Sequence, residues 1–386
     1  MNEKSVVIVI HAWFPNNQKL IDLLQRYLPY PVCYFTLSDK DRNRVWKAGG
    51  DSQVKPVVIP GFLLSFLSRD ININPTLPWY LLKVKPAVVI TKGWGDPGYF
   101  IAQRFARKRN VPFITWMCGR DKNVNPSNLL RKISTAIAKK VIKNSRFVFV
   151  YGTRAEMNAI DLGAEKEKVI IVKQVVDDTH FDYRYYSLND TDRILFRKNL
   201  GLSDRPLFLC ISQLIPRKGI KDLLKAFAIL REKGTDIQLL LIGTGPMKSL
   251  VQKYSEDYSQ HFVWLSSVPY EKIPFYYLIS DYFVFPTHFD AWGNVVNESH
   301  WAKLPIICSD GAHSSYDLIK YGYSGLIYKA GDITSLAEMM EYAVKHPTEM
   351  KKMAENGYNF VRSEWNLKES VKIWSKYIKL AIEENE

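Results

Sequence analysis

Short runs of β-branched and aromatic residues alternate with stretches of helical periodicity along this chain, a pattern that restricts it to parallel sheets covered by helices. The second half shows it most clearly. Residues 206–212 (PLFLCIS) read as a buried strand, after which Ile220, Leu223, Leu224, Phe227 and Leu230 recur at helical spacing. Residues 237–242 (IQLLLI) form the next strand and end in Gly243-Thr244-Gly245-Pro246. Residues 281–285, 305–308 and 325–328 complete the set. The first half repeats the scheme at residues 6–10, 57–59, 87–91, 112–116 and 147–151.

The chain has 386 residues, room for two such cores. Residues 176–204 are polar and Asp-rich, without a sustained strand pattern. The expected organisation is a Rossmann-like domain over 1–185, a linker at 186–204, a second Rossmann-like domain over 205–365 and an amphipathic helix at 366–386. Apolar residues make up 47%, which excludes general disorder. The apolar run near the start breaks at His11 with no small-residue cleavage site after it, so no secretory leader is expected. No stretch reaches the roughly 18 uninterrupted apolar residues of a membrane span. Cys33, Cys118, Cys210 and Cys308 lie far apart, as free thiols of a reducing compartment do.

Three loops after strands in the second half suit a diphosphate. Arg217 and Lys218 stand beside Gly219 just before a helix start, where two cations and open amides meet. The same residues also suit an ordinary solvated basic turn. Gly243 and Gly245 allow close backbone approach, and Pro246 suits a helix start. Gly293 precedes Asn294, read here as the N-cap of a short helix. Asp290 and Glu298, eight residues apart, offer acceptor-only groups for sugar and ribose hydroxyls. Both also fit simpler roles, a solvated Asp and a Glu favoured by the helix dipole.

The order SQLIPRKGIKDLLKAF, LLLIGTGP, YYLISDYFVFPT, DAWGNVVNE, PIICSD and GLIY is similar to the nucleotide-binding domain of retaining glycosyltransferases of family 4. The likeness covers roughly residues 147–345. It implies the GT-B fold: two Rossmann-like α/β domains facing a central cleft, with a C-terminal helix returning toward the N-terminal, acceptor-side domain. It also implies transfer of a sugar from a UDP- or GDP-sugar to a glycan or lipid-linked acceptor, in surface polysaccharide or glycoconjugate synthesis. By the resemblance, Arg217 and Lys218 bind the donor diphosphate, Asp290 contacts the donor sugar and Glu298 the ribose. Gly293 and Asn294 cradle sugar and phosphate, and Val268 to Tyr270 lie near the nucleobase. The family usually has Glu where Asp290 stands, and Gly where Ser266-Ser267 stand.

In the first half, HAWFPNNQK lacks the Gly-rich turn common in the family, and His11 either faces the cleft or is a packed histidine. TWMCGRDKN resembles a family stretch in which His precedes Gly and an Asp follows; here Cys118 holds the His position, while Gly119 and Asp121 match. Lys92, Trp94 and Asp96 follow a strand, where Trp94 could stack on a sugar or lie buried. The expected catalytic set is therefore Asp290, Asp121, Arg217 and Lys218. The expected donor-binding set is Gly119, Arg217, Lys218, Gly243, Gly245, Val268, Tyr270, Gly293, Asn294 and Glu298. No metal and no cofactor beyond the donor substrate is expected.

Residues 1–190 carry 29 Lys+Arg against 16 Asp+Glu, while residues 191–386 carry 24 against 23. The positive excess thus belongs to the first half, which suggests an acidic partner there. Arg104, Arg107, Lys108 and Arg109 form one cluster; Arg131, Lys132, Lys139, Lys140 and Lys143 form a second on an amphipathic helical pattern. An anionic membrane surface is the partner this favours. Nucleic acid is not expected, because no binding motif accompanies the charge. The expected location is cytoplasmic, peripheral at the membrane face. A nucleotide-sugar epimerase and a non-catalytic nucleotide-sugar binder on the same scaffold remain alternatives.

Overall fold

The computed structural model describes residues 4–39, 52–66, 69–120 and 129–385. It divides into two compact units, Met1–Asp177 with Leu367–Glu386, and Asp178–Asn366.

The described strands of the first unit are β1 (Ser5–Ile10), β2 (Val32–Thr36), β3 (Val57–Val58), β4 (Phe62–Phe66), β5 (Arg69–Ile73), β6 (Pro86–Lys92), β7 (Phe113–Met117), β8 (Phe147–Val150) and β9 (Val169–Ile171). Seven form a parallel sheet in the order β3-β2-β1-β6-β7-β8-β9, while β4 and β5 pair antiparallel. Every residue of β1, β7 and β8 is buried, as helix cover on both faces requires. The last helix, Leu367–Glu383, belongs to this unit, as the C-terminal return implied by the resemblance. Trp374 anchors it, edge-on to Trp116 and to Phe149 with centroids 4.9 Å away in each case. Ser370 Oγ also donates to the Val172 carbonyl at 2.6 Å.

The second unit carries β10 (Leu207–Ile211), β11 (Gln238–Ile242), β12 (Phe262–Leu265), β13 (Tyr282–Phe285), β14 (Ile306–Ser309) and β15 (Leu326–Tyr328). They form one parallel sheet in the order β12-β11-β10-β13-β14-β15. The helix Ile220–Glu232 buries Ile220, Leu223, Leu224, Phe227 and Leu230, the positions its periodicity marks. In each sheet the strand order reverses once, between β1 and β6 and between β10 and β13. At such a point neighbouring loops diverge and leave a crevice beyond the carboxyl ends.

All ten strands expected from sequence are present. Strands β2, β9 and β12 and the β4–β5 pair are additional; all are short, at five residues or fewer. The polar stretch read as containing the linker holds a helix, Asp190–Asn199, closed by an Asn189–Asp192 capping box. This helix is part of the second unit. Arg193 and Arg197 reach Asp281 at 2.6 and 2.8 Å, and Asp281 also accepts from the Leu207 amide. Its polar composition hid this packing, because the partner carboxylate lies more than 80 residues away in sequence. No helix among the described residues is long and apolar enough to cross a membrane.

Arg197 is buried, so removing its carboxylate leaves an uncompensated charge. Asp281→Ala is expected to lower unfolding free energy by about 3 kcal/mol, read as a lower urea midpoint.

Candidate functional site

The β10–β13 reversal places two loops side by side in the second unit. Residues 212–219 follow β10 and residues 286–293 follow β13. The His288 amide donates to the Arg217 carbonyl (2.9 Å), as does Thr287 Oγ1 (3.2 Å), so the loops are stitched by backbone. Gly219 adopts φ +66°, and a Cβ there would lie 1.8 Å from the Pro286 carbonyl oxygen. Only glycine fits that close approach. The 243–246 loop lies against the first from the other side. Leu214 donates to Thr244 and accepts from Met247, and a Cβ on Gly243 or Gly245 would strike the Ser212 or Leu214 carbonyl.

Charge crosses the reversal. The buried Lys218 ammonium pairs with the Asp290 carboxylate, and Lys218 Nζ lies 5.5 Å from the centre of the Phe285 ring. Arg217 is exposed instead: one guanidinium nitrogen donates to the Phe289 carbonyl at 2.8 Å, and the group sits 5.7 Å from the Phe289 ring. The two cations therefore differ in function, a solvent-facing fork at Arg217 and a paired, enclosed ammonium at Lys218.

The helix Asn294–Trp301 starts at the same crevice. Gly293, not Asn294, is its N-cap, at φ +93°. The correction has a steric cause: a Cβ at Gly293 would lie 2.7 Å from Phe285 Cε1, so glycine holds the cap and Asn294 becomes the first helical residue. A helix start leaves amides for which the helix itself has no acceptor. Trp292 fixes the approach, stacked on Trp365 (5.7 Å between centroids) and donating to Asn297 Oδ1 (2.8 Å). One turn in, Glu298 is buried and accepts from Tyr277 Oη at 2.8 Å. Burial, reinforced by the Glu298 carboxylate, holds the Tyr277 phenol far above its ordinary range, so it stays a donor. Tyr270 stacks on His180 at 4.3 Å and meets Phe181, whose other edge faces Tyr277. Burial pushes the Cys210 thiol up to about 12 despite nearby Lys218, and burial with the Asp290 and Asp310 carboxylates raises Cys308 as well. Both remain neutral thiols.

The first unit has its own reversal, between β1 and β6, and another polar contact spans it. His11 Nδ1 lies 2.7 Å from Asp96 Oδ2, with Asp96 buried and His11 about a third exposed. Asn72 Nδ2 approaches the same ring nitrogen at 3.2 Å. Lys92 lies among aromatic faces, 4.5 Å from the Trp116 ring centre and 5.4 Å from that of Phe14. Trp94 packs against the apolar core with the Arg120 guanidinium 5.6 Å from its ring centre. Cys118 is half-buried and Gly119 buried at the end of β7. Asp121 lies outside the described residues.

Among the expected site residues, Arg217, Lys218, Asp290 and Gly293 are brought into contact around the Phe285 ring and the stitched loops. Gly243 and Gly245 abut the same loop; the Gly243 amide is already engaged by the Leu265 carbonyl, which leaves close approach as that residue's contribution. Glu298 and Tyr270 lie on the adjoining side, linked by Tyr277 and Phe181, while Val268 stands two residues before Tyr270 in the same loop. Sequence reasoning missed Tyr277 and the pairing of His11 with Asp96. The only trace of the latter is that both residues follow strands. Among the described residues no group of three or more His, Cys, Asp or Glu is placed to hold a metal ion.

Residues 192–360 match the family described as glycosyl transferases group 1. The GDP-mannose-dependent alpha-(1-6)-phosphatidylinositol monomannoside mannosyltransferase of Mycolicibacterium smegmatis is 22% identical over 57% of this chain and 56% of its own. The capsular polysaccharide biosynthesis glycosyltransferase CapM of Staphylococcus aureus is 26% identical over 52% and 53%. The chain thus spans about half the length of these curated relatives. Among solved structures, Anabaena HepE in complex with UDP superposes with a TM-score of 0.77 at 12% identity, over 97% of this chain and 100% of that one. Sucrose-phosphate synthase from Thermosynechococcus elongatus gives 0.75 at 16% identity, over 98% and 99%. The fold is GT-B. The matched region and the named relatives together support a glycosyltransferase.

The helix bearing Glu298 also carries a pH-sensitive support. His300 is buried, donates from Nε2 to the Leu318 carbonyl (3.2 Å), and burial lowers its pKa to about 4. Its native form is neutral, so the unfolded chain binds the extra proton between pH about 6.5 and about 4. Stability is full above that window and falls through it as pH drops, by about 3 kcal/mol. Urea midpoints across pH test this, and His300→Gln should flatten that part of the profile.

Proposed function

We propose that the protein is a retaining glycosyltransferase of family 4 that moves a sugar from a UDP- or GDP-sugar to a glycan or lipid-linked acceptor. The supporting observation is the β10–β13 reversal, where Arg217, the Lys218–Asp290 pair and a helix start surround glycines that admit close backbone approach. A diphosphate is the ligand such a face accommodates. The relatives fit this reading: one is named GDP-mannose-dependent, and one solved neighbour is in complex with UDP. CapM suggests surface polysaccharide synthesis as the setting, and the basic first half suggests the cytoplasmic membrane face as the place.

In this reading Arg217 takes the outward phosphate oxygens bidentately. Lys218, paired with Asp290, supplies positive charge next to the leaving group. As the C1–oxygen bond breaks, negative charge grows on the diphosphate and these cations stabilise it more than they did the intact donor. Asp290 accepts from a sugar hydroxyl, Glu298 from the ribose diol, and Val268 with Tyr270 borders the base. Gly293 and Asn294 hold sugar and phosphate through backbone. Gly119 contributes to donor binding, Asp121 contacts the sugar or the acceptor during catalysis, and attack comes from the face the leaving group departs. The chemistry asks nothing of a metal where cations and amides neutralise the phosphates.

A nucleotide-sugar epimerase is the second reading, favoured by one observation: His11 Nδ1 and the buried Asp96 carboxylate meet at 2.7 Å. Donor incubated without acceptor separates the two, since an epimer appearing in the nucleotide sugar would establish the second.

Arg217→Ala with Lys218→Ala is expected to weaken UDP or GDP binding by about a hundredfold or more and abolish transfer, with the circular dichroism spectrum retained. A product anomeric configuration equal to the donor's, read by NMR, is the expected stereochemical result. Unchanged turnover in the double variant would remove the phosphate role, and an inverted product would remove the retaining mechanism.

A further inference from the structure

The first unit holds a second feature built for anions, at the other end of its sheet. The helices Pro97–Lys108 and Leu129–Lys143 leave a cavity of about 320 Å³, lined in part by Phe100, Arg104, Arg107, Lys108, Lys140 and Asn144. Among the described residues no carboxylate lines it. Between residues 97 and 143 the only acidic residue is Asp121. Arg104, Arg107, Lys108 and Lys140 make no ion pair with any described residue.

That arrangement is unfavourable for the fold alone. Arg104 faces Arg107 at i+3 and Lys108 at i+4, and like charges at those spacings repel. The neighbouring helix brings Lys140 to the same cavity. The walls are otherwise ordered: Gln103 is buried and donates to the Val141 carbonyl at 3.2 Å, tying the two helices together. A second cavity, of about 330 Å³, opens beside it and shares Gln103, Arg107 and Asn144, with Lys143 added. Here Arg146 is paired with Glu384 and Lys168 with Glu165, so the first cavity holds the larger excess of cations.

Position separates this feature from the candidate site. Arg107, Lys108 and Asn144 immediately precede the segments that enter β7 and β8, so they lie at the amino ends of those strands. His11, Lys92 and Gly119 lie at the carboxyl ends, about 16 Å away along a five-residue strand. Repelling cations in an ordered cavity with an amide donor and no acid match a phosphate ester. Phe100 is 39% exposed and Lys140 Nζ sits 5.9 Å from its ring centre, which adds an apolar contact at the rim.

We infer that this cavity is a phosphate-ester binding site, distinct from the donor site. It deepens the membrane-surface part of the expected partners and does not depend on the donor reading. The phosphate comes either from a lipid headgroup or from a soluble ester, and two measurements distinguish them. One is co-sedimentation of the full chain with phosphatidylglycerol-containing vesicles against phosphatidylcholine vesicles. The other is thermal stabilisation by inorganic phosphate against chloride at matched ionic strength. Arg104→Gln with Lys140→Gln should reduce the vesicle partition by about thirtyfold if lipid is the source, or abolish the phosphate shift if it is soluble. Lys166→Gln with Lys376→Gln, an equal charge change elsewhere on the same unit, should leave both nearly unchanged. Stabilisation by UDP or GDP in the cavity variant should match the parent, which keeps failure here separate from failure of the donor site. Absence of both vesicle and phosphate binding in the parent overturns the inference, as does equal loss in the two double variants.

Discussion

A paired charge spanning the strand-order reversal is the constraint on which the second-unit site depends. Lys218 and Asp290 are 72 residues apart and come from loops that diverge at β10 and β13. Each charge loses much of its water there, so losing either partner costs stability. Their attraction acts with the bonds that the Thr287 hydroxyl and the His288 amide donate to the Arg217 carbonyl. Together these contacts fix the loop from which Arg217 projects and the approach to the helix at Gly293. Lys218 is thus an internal strut as much as a ligand. Arg217, held by one bond to the Phe289 carbonyl and otherwise in solvent, is the cation with donors to spare.

The first unit solves the same topological problem with a different pair. His11 and Asp96 meet across the β1–β6 reversal, but the partners are a titratable ring and a buried carboxylate. An imidazole whose Nδ1–H donates to a carboxylate presents its other nitrogen as an acceptor. The two reversals therefore differ in composition: a paired ammonium beside an exposed guanidinium in the second unit, an imidazole against a buried carboxylate in the first. Cys118, where the resemblance leads one to expect histidine, sits in the first unit too, so the imidazole of this unit comes from a different loop.

Much of this was legible in one dimension because periodicity and glycine are local signals. Residues 220–230 advertise a helix whose apolar face is buried, and Gly219, Gly243 and Gly293 mark places where backbone approaches backbone. What was not legible is long-range. The Lys218–Asp290 and His11–Asp96 contacts join positions more than 70 residues apart, and nothing in either loop names its partner. The helix at 190–199 was hidden for the same reason: Arg193 and Arg197 read as linker polarity until Asp281 is placed beside them. Asn294 as cap failed on sterics, since side-chain preference favours Asn but the Phe285 ring leaves room only for glycine.

The charge distribution follows a different logic from the fold. Helix cover on a parallel sheet needs an apolar stripe and a polar outer face, and mixed charge serves the outer face best. The helix Pro15–Tyr27 in the same unit includes Asp22 among its cations, and Thr153–Asp161 carries Glu156 and Asp161. The helices Pro97–Lys108 and Leu129–Lys143 have no acid at all, and Arg104, Arg107 and Lys108 of the first meet Lys140 of the second at one cavity. Bringing these like charges together contributes nothing to folding, so the charge on these two helices does not follow from their role as cover for the sheet.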